Sequence, residues 1–449
     1  MRIPDILLIL VLIMLRTALL LFIFPSSIFY TNAQSETHDN CLNIHNTYLS
    51  TAFDLTKNCV GFSAPVSGRA YGYISVGMYE ATVDFLPTKI SLQKQLNGYT
   101  RNVEVPEKVN WALAVNAADY QLLSYFYRNM PPTQKERLDS LYTYQKKEYA
   151  SKVRKKTVKA SELYGQEIAN GIIEWSKTDG AENGHLNNFP EDFEIVKCES
   201  CWERTFPGYL PALTPHWGNN RPMLKQSPDV YKNMEIFDFD TDSASVMYKE
   251  AAAVYQNAMN ENPEYEIIAE YWDDAAGYSG TPSGHFFTIA SSVVASSELE
   301  LEQAVQLYAT LGVAINDAFI GSFYLKYKFN FIRPITYIHR YIEPQFNSRL
   351  ASPPFPEYPS GHSFQSGAAT EVMKSIFGDT TIIVDETNKN RNDIDGSPRT
   401  YQSFTEMSEE ISISRFYGGI HFLKTLNNSL DYGRRIGQYV VATLKFSNE

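Results

Sequence analysis

The chain has 449 residues, of which 44% are hydrophobic, 14% are aromatic and 20% are charged. This composition can supply a large apolar core, and it excludes a chain that is mostly disordered. The formal net charge of −12 would repel a phosphate backbone or an anionic membrane surface, so we expect no nucleic-acid partner. No Pro/Gly/Ser-rich or charged linker divides the sequence, which predicts one domain over residues 34–449.

The first 33 residues have the pattern of an export signal. Arg2 precedes two apolar stretches, 6–15 and 18–24, and residues 31–33 resemble a small-residue cleavage site. An uncleaved membrane anchor is the alternative, but Arg16 leaves neither stretch near the ~20 residues that span a bilayer. No later segment is expected to cross a membrane. The mature protein is therefore predicted to be secreted or periplasmic.

Four cysteines follow the predicted signal, and an even number in an exported protein suggests disulfides. Proximity in the sequence favours Cys41 with Cys59 and Cys198 with Cys201, among three possible pairings. The second pair could also form half of a zinc site or a redox pair. No second Cys-x-x-Cys and no paired histidines lie at a suitable spacing, which favours the structural disulfide.

Helical periodicity dominates the rest of the sequence, and strand-like alternation is scarce. The predicted fold class is therefore all-α. Pro/Gly/Asn-rich loops are predicted over 178–226 and 341–361. The predicted helices cover 68–86, 107–128, 133–149, 155–177, 241–260, 263–275, 299–328, 362–377, 406–417 and 426–445.

Three separate segments carry groups that could bind an anion, and the first contains Lys326 and Arg333. These cations are seven residues apart and would share a helix face, although Pro334 disfavours a helical conformation at Arg333. Taken alone, such a pair is more often found as solvated surface charges.

The second segment is Ser360-Gly361-His362, which follows a proline-rich loop and opens a predicted helix. Ser360 is suited to cap that helix, and the free backbone N–H groups behind it would form an anion site. A capped helix with an incidental histidine is the alternative interpretation.

The third segment contains Arg415, Gly418, Gly419 and His421. The glycine pair is expected to end the helix that carries Arg415, so that His421 can turn back toward the same pocket. A buried structural histidine is the alternative here.

Together the segments read Lys-x6-Arg-Pro, Pro-Ser-Gly-His and Ser-Arg-x5-His, in that order. This combination resembles the vanadium-dependent haloperoxidases and the wider superfamily that they share with the type 2 phosphatidic acid phosphatases. The flanking residues 314–319, 326–334 and 353–362 resemble the soluble bacterial branch. The resemblance implies a helical bundle of the haloperoxidase and acid phosphatase type.

The resemblance also implies roles for individual residues. His421 would be the axial nitrogen ligand of a vanadate cofactor, and His362 would be the acid–base group. Asp274 would be the acidic partner of the second arginine, Arg415. Phe355 and Phe323 would belong to the halide pocket. The groups expected to bind the vanadate oxygens are Lys326, Arg333, Ser360, Gly361 and Arg415.

The implied function is the vanadate-dependent oxidation of a halide, bromide or iodide first, by hydrogen peroxide. The product is hypohalous acid, which halogenates a small organic acceptor. The alternatives are a secreted acid phosphatase with His421 as nucleophile and a non-catalytic oxyanion-binding protein. One departure from the superfamily pattern is Thr425, because many members carry an aspartate there that accepts the imidazole N–H.

Overall fold

The computed structural model describes residues 35–297 and 299–448, so the predicted export signal lies outside the described residues. The predicted all-α class is confirmed. Within the described ranges, the extended structure is a small antiparallel sheet of β1 (Ile383–Asp385) and β2 (Arg399–Tyr401), together with isolated bridges. The helices, in chain order from α1 to α14, are 35–58, Ala64–Thr82, Trp111–Phe126, Pro132–Ala150, Lys155–Ser176, Ser227–Tyr231, Val246–Ala258, Pro263–Tyr271, Thr281–Ser296, Leu301–Phe329, Pro334–Tyr341, Gly361–Phe377, Phe404–Tyr417 and Leu423–Thr443.

The ten predicted helices correspond to observed ones, with ends displaced by a few residues. Four helices were not predicted: α1, α6, α9 and α11. Helix α9 is buried along most of its length, so its sequence lacks the alternation of apolar and polar faces that identifies a surface helix.

Helix α10 is central to the bundle and packs against α2, α12 and α14. Its residues are buried along most of the length because other helices surround it. Among the described residues, this helix alone is long and apolar enough to cross a membrane, which the sequence interpretation did not anticipate. However, 94% of its apolar window is buried inside the protein, as is typical of a core helix.

Helices α12 and α14 approach each other so closely that their backbones touch. A Cβ atom at Gly433 would lie 2.1 Å from the carbonyl oxygen of Phe364, and one at Gly437 would lie 2.4 Å from that of Ala368. On the facing helix, a Cβ atom at Gly367 would lie 2.5 Å from the carbonyl oxygen of Leu430. Any side chain at these positions would clash with the facing backbone, so only glycine permits the two helices to approach this closely.

One of the two predicted disulfides is present. Cys198 and Cys201 form a disulfide, whereas Cys41 and Cys59 are free thiols, so their predicted pairing is wrong. Cys41 lies within α1 and Cys59 directly follows its end. At 1.5 Å of rise per residue, 18 residues of helix separate them by about 27 Å, far beyond the reach of a disulfide.

Candidate oxyanion-binding site

Lys326 lies in the last turn of α10, and its side chain is fully buried. Its Nζ donates to the carbonyl oxygens of Pro356 (3.0 Å), Glu357 (3.2 Å) and Pro359. Burial lowers the pKa of Lys326 well below its ordinary value, and the nearby charge of Arg333 lowers it further. The lysine therefore ties the end of α10 to the proline-rich loop that precedes α12.

Arg333 lies in the same region as Lys326, but it is not on the same helix, as the spacing of seven residues had suggested. Helix α10 ends at Phe329, its C-cap Asn330 has a left-handed backbone (φ 47°), and Arg333 is the N-cap of the next helix. Its guanidinium donates from Nε to Phe355 O (2.9 Å) and from Nη1 to Ile420 O (2.9 Å). Nη2 is buried without a partner, and burial lowers the pKa of Arg333 to about 10.

Ser360 caps α12, as predicted. Its Oγ accepts hydrogen bonds from the backbone N–H (3.3 Å) and the hydroxyl (3.0 Å) of Ser363, which leaves its own O–H free to donate. A Cβ atom added at Gly361 would meet nothing within 4 Å. The positive end of α12 therefore faces open space into which an anion could fit.

His362 lines a cavity together with Arg415, and its Nε2 is buried without a hydrogen-bond partner. Burial and the charge of Arg415 lower the pKa of His362 well below its ordinary value, whereas hydrogen bonds to the backbone of Asp273 and Trp272 oppose this effect. The ring is thus a neutral imidazole whose free nitrogen is available to a ligand.

The acidic partner of Arg415 is Asp273, which corrects the predicted assignment to Asp274. Arg415 Nη1 donates to Asp273 Oδ1 (3.3 Å), and its Nη2 donates to Ala269 O (2.8 Å). Asp274 has a left-handed backbone (φ 48°), and both of its carboxylate oxygens lie 3.0 Å from His285 Nδ1. The turn after α8 thus gives these adjacent aspartates different partners.

His285 connects that turn to the small sheet. Its Nε2 lies 2.7 Å from Asp385 Oδ2, and its ring stacks on Trp272 with 4.6 Å between centroids. Burial alone would lower the pKa of His285, but Asp274 and Asp385 raise it to about 10. A buried imidazolium between two carboxylates therefore holds the turn that carries Asp273.

His421 follows the glycine pair that ends α13, as predicted; Gly419 has a φ of 78°. The ring is 3% exposed, with Nδ1 2.8 Å from Glu357 Oε1 and Nε2 3.3 Å from Arg333 Nη1. Burial and the charges of Arg333 and Lys326 lower the pKa of His421 well below its ordinary value. With Nδ1–H donated to a carboxylate, the lone pair of Nε2 is directed toward the cations.

Glu357 is a buried residue of this site that the sequence interpretation missed. It is fully buried, and besides His421 it accepts hydrogen bonds from Phe422 N (3.2 Å) and Thr425 Oγ1 (2.9 Å). Burial raises the pKa of Glu357 to about 7, although the charge of Arg333 acts in the opposite direction. The sequence did contain a signal, because Glu357 is an acidic residue in the proline-rich loop, three residues before Ser360. A glutamate is rarely buried unless it has a partner.

The two predicted halide-pocket residues differ in position. Phe355 lines the cavity, and its ring lies 4.6 Å from Lys326 Nζ and 5.0 Å from Arg333 Cζ. Phe323 packs behind it with 5.4 Å between ring centroids and is not part of the cavity wall. Phe323 can therefore act on the pocket only through Phe355, and a direct halide contact stays a prediction for Phe355.

The cavity that Phe355 lines has a volume of about 640 Å³. His362 and Arg415 lie in its wall, and apolar side chains form much of the remainder. Three of these side chains are exposed to solvent: Val60 by 84%, Leu210 by 50% and Phe189 by 44%. The site therefore combines a cationic interior with an apolar entrance.

The donor set fits a tetrahedral oxyanion. Three buried cations, Lys326, Arg333 and Arg415, lie near the open N-terminus of α12, and burial lowers the pKa of each. Such depression is expected where buried cations lack sufficient negative charge, and a bound anion would relieve it. Arg333 Nη2 and His362 Nε2, both without partners, are available to ligand oxygens. Fold and site together define an all-α protein with a buried cationic centre whose donors fit an oxyanion.

Comparison with known proteins identifies the relatives of this chain. The family described as the VCPO second helical-bundle domain matches residues 340–448. The vanadium chloroperoxidase of Curvularia inaequalis is 25% identical over 187 residues, which is 36% of this chain and 30% of that enzyme. The match thus spans less than a third of the length of the curated relative.

Solved structures extend the similarity to most of the chain. The first bacterial vanadium-dependent iodoperoxidase superposes with a TM-score of 0.81 at 28% identity, covering 91% of this chain and 97% of that protein. A holo-type bacterial vanadium-dependent chloroperoxidase gives a TM-score of 0.65 at 15% identity, with coverage of 86% and 93%, and supports the fold alone. The resemblance to the vanadium-dependent haloperoxidases is confirmed.

Proposed function

We propose that this protein is an exported vanadium-dependent haloperoxidase that binds vanadate at the site described above. The observation that carries the proposal is the orientation of His421. Its Nδ1 lies 2.8 Å from a carboxylate oxygen, and its Nε2 faces a group of buried cations. A neutral imidazole fixed in this way is suited to ligate the central atom of an oxyanion.

The other residues supply charge and geometry. Lys326, Arg333 and Arg415 would neutralise the oxygens of vanadate, while Ser360 and the N–H groups at the start of α12 would donate hydrogen bonds. When bound, vanadate supplies a Lewis acid that activates hydrogen peroxide without changing its own oxidation state. The net reaction consumes halide, hydrogen peroxide and one proton, and it yields hypohalous acid and water.

His362 is the acid–base group in this proposal. Its pKa is lowered well below the ordinary value, so the imidazole is neutral and can accept a proton from incoming peroxide at Nε2. Nε2 of His362 is buried without a hydrogen-bond partner, and the ring lines the cavity together with Arg415. Asp273 contributes through Arg415, whose guanidinium it holds at the edge of the cavity.

Iodide is the halide that we propose first. The relative with a TM-score of 0.81 is an iodoperoxidase, and iodide is the most easily oxidised of the three common halides. The apolar entrance formed by Val60, Phe189 and Leu210 supports an apolar organic acceptor. The export that we propose follows from the pattern of the first 33 residues.

Glu357 favours a second candidate, an acid phosphatase that uses His421 as nucleophile. A threonine at residue 425 supports the imidazole more weakly than the aspartate of many superfamily members, which by itself makes a phosphohistidine route less favourable. Glu357 provides a carboxylate at His421 Nδ1, which removes that objection. The same cations would then stabilise a phosphoryl group.

Reconstitution of the purified protein with orthovanadate separates the candidates. Peroxide-dependent oxidation of iodide or bromide supports the haloperoxidase. Hydrolysis of p-nitrophenyl phosphate by the vanadate-free protein, inhibited by orthovanadate, supports the phosphatase and contradicts the first proposal if no halide is oxidised. Vanadate binding with neither activity would leave a non-catalytic oxyanion-binding protein.

A further inference from the structure

We propose that Glu357 is a positioning residue that sets the tautomer and orientation of His421 and links this imidazole to Lys326. Its side chain contacts the histidine, and its backbone carbonyl accepts a hydrogen bond from the lysine Nζ at 3.2 Å. This inference rests on the proposed role of the site in binding an oxyanion.

The carboxylate of Glu357 fixes one of two possible tautomers. An imidazole carries its proton on Nδ1 or on Nε2, and only the nitrogen without the proton can ligate. When Glu357 is ionised, its oxygen 2.8 Å from Nδ1 can only accept a hydrogen bond, so the imidazole proton stays on Nδ1. Nε2 is then an acceptor, in agreement with the N–H of Arg333 that points to it.

The same carboxylate is itself held in place from α14. Phe422 N–H donates to Oε1 at 3.2 Å, and Thr425 Oγ1 donates to Oε2 at 2.9 Å. The backbone N–H of Glu357 donates to Phe331 O at 2.9 Å. Glu357 therefore joins the start of α14 to the segment between α10 and α11, and these two regions carry His421 and Arg333.

The arrangement explains how Thr425 can occupy its position. The threonine hydroxyl reaches the Glu357 carboxylate and not the imidazole, so it acts one hydrogen bond farther from His421. A carboxylate introduced at residue 425 would approach the same imidazole from the side of α14. A carboxylate could therefore accept the Nδ1–H of His421 from either of two positions, residue 357 in the loop or residue 425 on α14. In this chain the carboxylate is at residue 357.

Two measurements test the proposal without any assay of halide oxidation. The first is ¹⁵N NMR of histidine-labelled protein, with the His421→Ala variant assigning the signal and the spectrum reporting which nitrogen is protonated. The second is the dissociation constant of orthovanadate from equilibrium dialysis. Loss of a group that orients a metal ligand typically weakens affinity about 10–100-fold.

In Glu357→Gln, which keeps the size and one acceptor but removes the charge, we expect weaker vanadate binding and partial loss of the Nδ1–H signal. Glu80→Gln is the matched control, because Glu80 is equally buried and its partners Ser91, Leu92 and Arg101 do not contact His421. This control should lower thermal stability and leave both readouts unchanged. Wild-type affinity and an unchanged spectrum in Glu357→Gln would overturn the inference.

The double variant Glu357→Ala/Thr425→Asp separates positioning from simple packing. If it regains the Nδ1–H signal and binds vanadate more tightly than Glu357→Ala, a carboxylate beside Nδ1 is what the site requires. A folded double variant that behaves like Glu357→Ala would contradict this. A wild-type protein that shows the expected spectrum and binds vanadate but oxidises no halide would refute the proposed function and leave this inference standing.

Discussion

Nη1 of Arg333 lies 3.3 Å from Nε2 of His421, so the guanidinium donates a hydrogen bond to the nitrogen that is proposed to ligate vanadate. A nitrogen that accepts this bond carries no proton, which is the state a ligand requires. The same guanidinium has a buried Nη2 without a partner. A bound oxyanion would take over both interactions, by offering an oxygen to Arg333 and its central atom to His421.

Alanine substitutions of the two site histidines, His421 and His362, are expected to have different effects on vanadate binding and turnover. His421→Ala should abolish retention of vanadate, because it removes the proposed axial ligand. His362→Ala should retain vanadate and lose about 10²–10⁴-fold in turnover, the usual contribution of an acid–base group. Equilibrium dialysis and steady-state kinetics on both variants make the comparison. Equal vanadate retention by the two variants would show that the axial assignment is wrong.

Lys326→Met should impair both activity and folding. Methionine has a similar length, but it leaves the carbonyl oxygens of Pro356, Glu357 and Pro359 without their donor. An unsatisfied buried group costs about 1–3 kcal/mol, so the free energy of unfolding should fall by at least that amount. Urea denaturation measures the loss, and vanadate affinity should fall in parallel. Wild-type affinity in a folded variant would remove Lys326 from the site.

The buried ion pair of His285 should make stability depend on pH. Its folded pKa of about 10 lies above the ordinary value near 6.5, so the stabilisation is fully present below pH 6.5 and is lost as the pH rises through about 10. Removing one member of a buried pair costs about 3–5 kcal/mol, which we expect for His285→Asn near pH 6. The difference in melting temperature between wild type and variant should shrink from pH 6 to pH 10. A constant difference would mean that His285 is neutral in the folded protein.

The apolar entrance should govern the organic acceptor and not the halide. Leu210→Asp places a charge on the cavity wall, where the leucine is 50% exposed. We expect the KM for an apolar phenol to rise while iodide oxidation, measured as triiodide, stays unchanged. Leu163→Asp is the matched control, because that leucine is 51% exposed on α5 and does not line the cavity. An equal effect of both substitutions would argue against an acceptor site.

Thiol titration should distinguish the two pairs of cysteines. Burial raises the pKa of the Cys41 thiol and raises that of Cys59 to about 12, so neither should react in the native protein. Denaturant should expose these two thiols, and reductant should then release the two of the Cys198–Cys201 disulfide. Four reactive thiols before reduction would contradict the disulfide.

The sequence was sufficient where a residue's position depends on its neighbours along the chain. The cap at Ser360 and the end of α13 before Gly419 are local features, and both were predicted. Helix α1 could also have been predicted from the sequence, because its buried residues recur with a helical period: Cys41, Ile44, Tyr48 and Leu55. Its many threonines and asparagines have low helix propensity and obscured that pattern.

Residues that act across the fold were not predictable in this way. Glu357 and His421 are 64 residues apart, and their contact depends on how the proline-rich loop folds over α10. Asp273 contacts Arg415 in place of the predicted Asp274 because Asp274 has a left-handed backbone, which the sequence does not reveal. The resemblance placed an acid within one residue of the correct position, and the geometry of the turn decided between the two.

The contact between α12 and α14 determines how rigidly the site is built. Helix α12 begins at Gly361 and α14 begins two residues after His421, so both helices start at groups that we propose to bind the oxyanion. At Gly433 and Gly437 main chain meets main chain, with no side chain between them that could change rotamer. The spacing between His421 and the start of α12 is therefore a property of the scaffold itself, and a methyl group added at Gly433 would widen it by pushing the first turn of α12 away from α14.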